Sequence, residues 1–317
     1  MVFVEERKKG KHTQYYLVKT FREEGKVKKK SVFLGTDIND MQLEKLKEDA
    51  TIELGELDFE KVLSKKEINE FDEIKNRLNK EIESFAPESF YQHFLTEYTY
   101  DSNAIEGSSL TLEETSNVLF EEISPKNKPL KHVQEAKNHK KAYDYVAGSK
   151  EEKLSQDLIC EIQKKVVENT LPEQLKEFEG KLRGVNVRVG LHIAPPYYSV
   201  PRKLGTLIKW FNANSKKYHS IVVAAYFHSE FETIHPFVDG NGRTGRLLMN
   251  FMLKNAGFPP ITIFFKYRQE YYNALEKARK EKNLKPLIKI MKKSYQDMLE
   301  IYSQKGKYKN ALKEQEI

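Results

Sequence analysis

One segment constrains this chain of 317 residues more than any other: His235-Pro236-Phe237-Val238-Asp239-Gly240-Asn241-Gly242-Arg243-Thr244-Gly245-Arg246. Gly240 and Gly242 allow positive φ and close approach of the backbone to a ligand, because glycine has no Cβ. Residues 244–254 have helical periodicity, with an apolar side formed by Leu247, Leu248, Phe251 and Met252. The segment therefore predicts a tight glycine-rich turn that runs directly into an amphipathic helix.

A turn of this kind is suited to an anion. The first N–H groups of a helix have no intrahelical acceptors and point outward. Arg243 and Arg246 are three positions apart, so we expect both to face the same direction. Two arginines at the positive end of a helix dipole are unfavourable unless an anion binds between them.

Two further groups in the segment supply chemistry. His235 can move a proton near neutral pH, since its unperturbed pKa is about 6.5. Asp239 offers hard oxygen ligands that suit Mg²⁺ bridging phosphate oxygens. The segment is not a Walker A loop, because it lacks the Lys-Ser/Thr pair and no strand clearly precedes it. The combination favours the handling of a nucleoside triphosphate.

The segment resembles the signature of Fic domains, H-P-F-x-D/E-G-N-G-R-x-x-R, at every fixed position. Most Fic proteins are adenylyltransferases, which move AMP from ATP to a protein hydroxyl, a transfer that depends on positioning and charge neutralisation. The resemblance implies that His235 is the base that deprotonates a Ser, Thr or Tyr hydroxyl. It implies that Asp239 holds Mg²⁺ on the α- and β-phosphates, and that the phosphates are bound by Gly240, Asn241, Gly242, Arg243 and Arg246.

A second segment resembles the inhibitory motif S/T-x-x-x-E-G/N of autoinhibited Fic proteins. Ser102 and Glu106 are four positions apart on one face of a predicted helix, and Gly107 follows as a C-terminal stop. The resemblance implies that Glu106 binds Arg246 in the place of the ATP γ-phosphate. A charge-assisted Glu–Arg pair would compete with the triphosphate, so Glu106 is expected to act as a brake.

A third segment resembles the Fic flap, a hairpin that pairs with an extended target by strand addition. Val185, Val187 and Val189 alternate with polar residues and precede Gly190. We expect a protein substrate to dock on residues 185–193, hereafter the flap. The resemblance also implies nucleotide contacts, and it places an adenine-contacting Asn of some relatives at Arg279. The implied contacts are Val189, Gly190, Leu191, His192, Tyr271 and Tyr272.

The chain is expected to be mainly α-helical, a Fic-type bundle with a β-hairpin flap and a small N-terminal β appendage. The appendage is assigned to residues 1–60, where β-type runs at 15–18 and 31–35 surround a turn at 24–26. The Fic domain is assigned to 61–290, with the inhibitory helix at about 90–107, and a C-terminal helix and frayed polar tail to 291–317. Helical periodicity predicts helices from about 67 onward and at 90–103, 112–120, 130–146, 155–167, 203–213, 219–233, 268–280 and 284–302.

Composition narrows the possible partners and locations. The net charge is +7, but 54 basic residues face 47 acidic ones, so nucleic acid is an unlikely partner and the run at 26–30 is expected to be a solvated turn. Cys160, the one cysteine, is expected to be a core thiol and excludes an internal disulfide. No apolar run reaches the roughly 20 residues of a membrane span and no signal peptide is evident, so a cytoplasmic location is expected.

Other interpretations stay open. His228, Glu232 and His235 share one helix face, a spacing that a metallohydrolase could use, although the phosphate-binding turn accounts for His235 better. The same fold can remove AMP, with Glu106 aligning a water molecule. The chain could also be a non-catalytic nucleotide-sensing regulator. Self-modification and a homodimer that relieves the brake are further expectations.

Overall fold

The computed structural model describes residues 2–315 except 24–25, 44–45, 48–49, 51–58, 150–152 and 191. The chain divides into two compact units, Met1–Val62 and Leu63–Ile317. The prediction of a mainly helical fold with a small N-terminal sheet is confirmed. None of the helices in this described part combines the length and apolar character that crossing a membrane requires.

The first unit contains an antiparallel sheet of three strands in the order β1–β2–β3: Val2–Lys9, His12–Glu23 and Lys26–Thr36. A bulge between Tyr15 and Tyr16 shifts the register of β2 against β3. Leu17 and Leu34 pack with Ala50 in a small core on one face of the sheet. The sequence predicted only the middle of β2 and the end of β3, and the predicted turn residues 24–25 lie outside the described residues.

The lysine-rich run at 26–30 was wrongly predicted to be a turn. It forms the first half of β3, where Lys26 pairs with Glu23 and Lys30 with Lys19 across the ladder. Because β3 is at the edge of the sheet, its unpaired backbone groups face outward, and lysines on such a strand oppose pairing with another chain. Charge density alone therefore misidentified a strand as a loop.

The second unit consists of ten helices among its described residues, one short hairpin and three 3₁₀ turns. The hairpin pairs β4, Arg188–Val189, with β5, His192–Ile193. The last helix continues to Gln315, so the prediction that it ends near 302 in a frayed tail was wrong. The helices are α1 Lys65–Glu83, α2 Pro87–Ile105, α3 Leu112–Phe120, α4 Leu130–Gly148, α5 Gln156–Val167, α6 Val200–Asn214, α7 Ser220–Ile234, α8 Asn241–Asn255, α9 Arg268–Glu281 and α10 Lys285–Gln315.

Local sequence signals account for where several helices begin. Ser64 and Glu67 form a capping box at α1, and Thr111 and Glu114 form another at α3. Pro87 occupies the first turn of α2, where its missing N–H costs nothing. These signals fix the helix boundaries before any long-range packing is considered.

Helices α7 and α8 form the centre of the unit, because both are buried along most of their length. Trp210 packs on Tyr226 of α7 with ring centroids 4.3 Å apart, and Phe211 packs on Phe227. Cys160 is only half-buried, not fully within the core as predicted, although its burial raises the pKa of its thiol to about 11. The loop between α7 and α8 therefore joins two buried helices.

Candidate active site

His235 ends α7 in a left-handed conformation, with φ 49° and ψ 63°. Its N–H donates to the carbonyl of Phe231 at 2.8 Å, and Pro236 prevents the helix from continuing. The side chain of Asn241 closes the following loop, since it accepts from the N–H of Phe237 and donates to the Phe237 carbonyl, both at 2.9 Å. The imidazole is thus held at a fixed point between two buried helices.

The environment of His235 keeps its imidazole neutral. Burial and the positive charge of Arg183 lower the pKa of His235 to about 4. Within the described residues its Nδ1 is buried without a hydrogen-bond partner. A neutral imidazole can accept a proton at pH 7, which is the state required of a general base.

The loop of residues 239–242, which we call the anion loop, requires glycine at position 240, and Gly242 lies in contact with the Glu106 side chain. Gly240 has φ 79°, and a Cβ there would lie 2.7 Å from Val167 Cγ1. A Cβ on Gly242 would lie 2.1 Å from Oε1 of Glu106. The first turn of α8 begins at Asn241, so its leading N–H groups have no acceptor within the helix and suit an anion.

Asp239 lies at the mouth of the anion loop with its side chain 36% exposed. Its Oδ1 accepts from the N–H of Gly240 at 2.6 Å, and its Oδ2 lies 3.8 Å from Lys131 Nζ. Gln163 donates to the Asp239 carbonyl at 3.1 Å and so fixes the backbone. The carboxylate is thus anchored at Oδ1 by Gly240 and faces Lys131 at Oδ2, and its side chain is partly exposed.

The two arginines do not face the same direction, contrary to expectation. Arg243 Nη1 lies 3.1 Å from Glu135 Oε1 on α4. Arg246 turns toward α2, where it donates to Ser102 Oγ at 3.0 Å, to the Ser102 carbonyl at 2.7 Å and to Glu106 Oε1 at 2.8 Å. Both arginines are buried, and each is balanced by a carboxylate from a different helix.

Glu106 occupies the C-terminal cap of α2, and Gly107 follows with φ 98°. Burial by itself would lower the pKa of Arg246, but the Glu106 carboxylate overrides this and raises it. Ser102 and Glu106 therefore share one helix face, and that face contacts Arg246.

Some of these groups line one cavity of about 500 Å³, whose lining does not include Asp239, Gly240, Asn241 or Arg243. His235, Gly242, Arg246 and Glu106 lie along the same cavity as Tyr271, Tyr272 and Arg279 of α9 and as Val189, Gly190 and His192 of the flap. Leu191 lies outside the described residues.

The tyrosines and His192 have different roles in the cavity wall. Tyr271 is buried and its hydroxyl lies 2.6 Å from His228 Nε2. Tyr272 is 38% exposed and donates to the carbonyl of Ile105 at 2.9 Å. His192 Nε2 lies 3.0 Å from the carbonyl of Thr233. The ring of Tyr272 is therefore more accessible from the cavity than the ring of Tyr271.

His228, Glu232 and His235 do not form a ligand cluster. His228 is paired with Tyr271, and burial lowers its pKa to about 3. Burial raises the pKa of Glu232 to about 8. In the described ranges of the chain, no three His, Cys, Asp or Glu side chains are placed to hold one metal ion.

Sequence reasoning missed three residues that support this site: Arg183, Glu135 and Gln163. Gln163 could have been recognised from the sequence, because it interrupts the apolar stripe of Ile159, Ile162 and Val166 on α5. Glu135 and Arg183 stand among other charged residues and carry no local signal.

Comparison with known proteins bears on the same residues. Residues 153–253 match the Fic/DOC family model. This chain contains a Fic/DOC domain. The chain is 32% identical over 219 residues to protein adenylyltransferase Fic of Nematostella vectensis, a match that covers 68% of this chain and 49% of that protein. The corresponding protein of Drosophila persimilis is also 32% identical, over 68% of this chain and 41% of its own length.

The solved structures agree on the fold of the Fic domain. Fic-1 from C. elegans superposes with a TM-score of 0.67 at 24% identity, covering 86% of this chain and 80% of that one. A Fic domain containing signaling protein from Bacteroides thetaiotaomicron gives 0.66 at 23% identity, over 75% and 97%. The chain spans half or less of the length of the two adenylyltransferases above.

Proposed function

We propose that this chain is a protein adenylyltransferase that transfers AMP from Mg·ATP to a hydroxyl of a protein and is autoinhibited by Glu106. The observation that carries the proposal is the single cavity that His235, Gly242, Arg246 and Glu106 line together. It joins a neutral base to an anion loop and to an arginine already bound to a carboxylate. The names of the relatives, protein adenylyltransferase Fic, support the same reaction.

In the proposed step, His235 accepts the proton of a Ser, Thr or Tyr hydroxyl. The hydroxyl oxygen bonds to the α-phosphorus of ATP, the bond from that phosphorus to the bridging oxygen breaks, and pyrophosphate leaves. The N–H groups of the anion loop, with Arg243 and Arg246, would bind the phosphates. Such a transfer depends mainly on positioning and charge neutralisation.

Asp239 fits the role of a magnesium ligand. Mg²⁺ in nucleotide sites is commonly held by one or two carboxylates together with substrate phosphates. Asp239 provides one such carboxylate, which is anchored at Oδ1 by Gly240 and is 36% exposed. Bound there, the ion would neutralise phosphate charge.

The flap is the proposed docking site for the protein substrate. Val189 is 40% exposed and Ile193 75% exposed, and the hairpin of β4 and β5 is only two residues long on each side. An extended segment could add to it by backbone pairing. A segment of this chain itself could dock in the same way, and dimerisation is one proposed means of relieving the brake.

One observation favours AMP removal as a second candidate. Glu106 shares the cavity with His235, and its side chain is 36% exposed, so its carboxylate could align a water molecule. The two functions make opposite demands on Glu106. Its removal would release transfer but abolish hydrolysis.

The deciding experiment compares the parent chain, Glu106→Gly and the Glu106→Gly/His235→Ala double variant, each incubated with Mg²⁺ and ATP and examined by intact mass. We expect an AMP adduct on the protein, or on added lysate proteins, in the single variant only. An adduct that persists in the double variant would refute the role of His235. No adduct from any variant would refute transfer, and AMP removal from a modified protein by the parent would then support the hydrolase.

A further inference from the structure

Arg183 joins the two ends of the flap. It is 2% exposed and lies just before the flap in sequence. Its Nη1 donates to the carbonyl of Val185 at 2.8 Å, and its Nη2 donates to the carbonyl of Pro195 at 2.5 Å. One side chain therefore holds the residue that enters the flap and a residue just beyond its exit.

Arg183 also donates hydrogen bonds to the backbone carbonyls at the end of α7. Its Nε donates to the carbonyl of His235 at 2.8 Å, its Nη2 to that of Ile234 at 3.4 Å, and its backbone N–H to that of Pro236 at 2.9 Å. Carbonyls at a helix C-terminus lack intrahelical donors and favour a nearby cation. Three successive carbonyls that would otherwise be orphaned are thus capped by Arg183.

His235 itself needs such support. A residue other than glycine is strained in the left-handed region and persists there only when its surroundings enforce it. The bonds from Arg183 to the carbonyls on both sides of His235 are among the contacts that enforce it.

We propose that Arg183 is a positioning residue that fixes the flap and His235 to each other, so that a hydroxyl on a segment bound along the flap is delivered to the imidazole. The proposal rests on the proposed function of the site. Lysine cannot replace arginine here, because only the planar guanidinium fork offers several donors in fixed directions.

Arg183 also acts on His235 through its charge. After burial, it is the largest influence that lowers the pKa of His235, and His192 acts in the same direction. Glu106 and the nearby backbone of Glu232 act in the opposite direction. Removing the Arg183 charge should therefore raise the pKa of His235. Because loss of burial would also raise it, the comparison with Arg183→Lys, which keeps the charge, separates the two causes.

The test uses Arg183→Met, which removes the fork and the charge, and Arg183→Lys, which removes the fork only. Arg77→Met, an exposed arginine on α1, is the control for loss of one positive charge. Each is made in the full chain with and without Glu106→Gly. The pKa of His235 is measured by NMR of ¹³C-labelled histidine, assigned against His235→Ala, and amide exchange is measured over residues 185–194.

We expect Arg183→Met to raise the pKa of His235, to speed exchange over 185–194 and to lower the rate of adduct formation at least tenfold, with ATP affinity retained. Arg183→Lys should speed exchange with little change in that pKa. A folded Arg183→Met variant with the exchange and pKa of the Arg77→Met control would overturn the proposal. If Arg183→Met does not fold, parent-like exchange in Arg183→Lys would overturn it instead. If Glu106→Gly forms no adduct, the proposed function fails, while exchange and the pKa still decide the role of Arg183.

Discussion

Replacement of Glu106 by glycine is the perturbation whose consequence the geometry defines best. The variant removes the 2.8 Å bond from Arg246 Nη2 to Glu106 Oε1. It leaves both bonds from Arg246 to Ser102 intact, so the guanidinium keeps its place. The Glu106 carboxylate no longer competes with ATP for that guanidinium, so the affinity for ATP should rise.

The expected magnitude follows from the exposure of the two partners. A hydrogen bond to a charged group contributes about 1.5–3 kcal/mol net. Arg246 is buried, but the side chain of Glu106 is 36% exposed, so solvent screening favours the lower limit of about 1.5 kcal/mol. Because 1.4 kcal/mol corresponds to a factor of ten in affinity, Glu106→Gly should bind Mg·ATP about tenfold more tightly than the parent.

Calorimetric titration of ATP measures this directly. The matched control is Glu122→Gly, an exposed carboxylate lost from a residue with φ 56°, where glycine is tolerated. Equal dissociation constants for Glu106→Gly and this control would refute the brake. Thermal unfolding provides a second measurement. Without nucleotide, Glu106→Gly should have a lower Tm than the parent, because Arg246 remains buried without its counter-charge. ATP should raise the Tm of Glu106→Gly more than that of the parent.

Two further predictions concern the loop glycines and pH. Gly240→Ala should lower the free energy of unfolding by more than about 2 kcal/mol, because a left-handed alanine is strained and its Cβ would lie 2.7 Å from Val167. Gly190 has φ 57° and no atom within 4 Å of an added Cβ, so Gly190→Ala should lower it by only about 1 kcal/mol. Equal losses in denaturant titrations would contradict this. Burial and Arg183 lower the pKa of His235 to about 4 although Glu106 acts in the opposite direction. In the Glu106→Gly background, transfer should therefore decline only at or below about pH 4, and a decline centred at about 6.5 would count against a neutral buried base. The pKa of His235 is about 6.5 in the unfolded chain and lower in the folded one, so the fold favours the neutral imidazole. His235 therefore stabilises the fold above about pH 6.5, and this stabilisation is lost as the pH falls from about 6.5 through 4.

The parts of the site that sequence could predict are those that local patterns encode. The glycine-rich turn and the helix after it follow from Gly240, Gly242 and the apolar periodicity beyond them. Ser102 and Glu106 face the same way because they are one helical turn apart. The contact of that face with Arg246, 140 residues from Glu106 along the chain, was implied only by the family resemblance.

The parts that could not be predicted depend on contacts between distant segments. Nothing near Glu135 indicates that it pairs with Arg243, which is why the two arginines were expected to face the same way. Arg183 precedes a valine alternation typical of a strand, yet its donors reach the end of α7. In the N-terminal sheet the error had a different origin, since charge outweighed strand periodicity in the lysine run.

The position of Glu106 at a helix end limits what relief of the brake requires. Ser102, Asn103, Ala104 and Ile105 are almost fully buried, so undocking the last turn of α2 would expose apolar surface and leave Arg246 without any of its partners. Glu106 is only the cap residue, and Gly107 beyond it has φ 98° and no atom within 4 Å of an added Cβ. Helix ends open at much lower cost than packed interiors, so rotation of the Glu106 side chain would free the guanidinium while Ser102 still holds it in place. The Glu106→Gly titration tests whether loss of the cap carboxylate alone is enough to raise the affinity for ATP, because this variant leaves the buried turn unchanged.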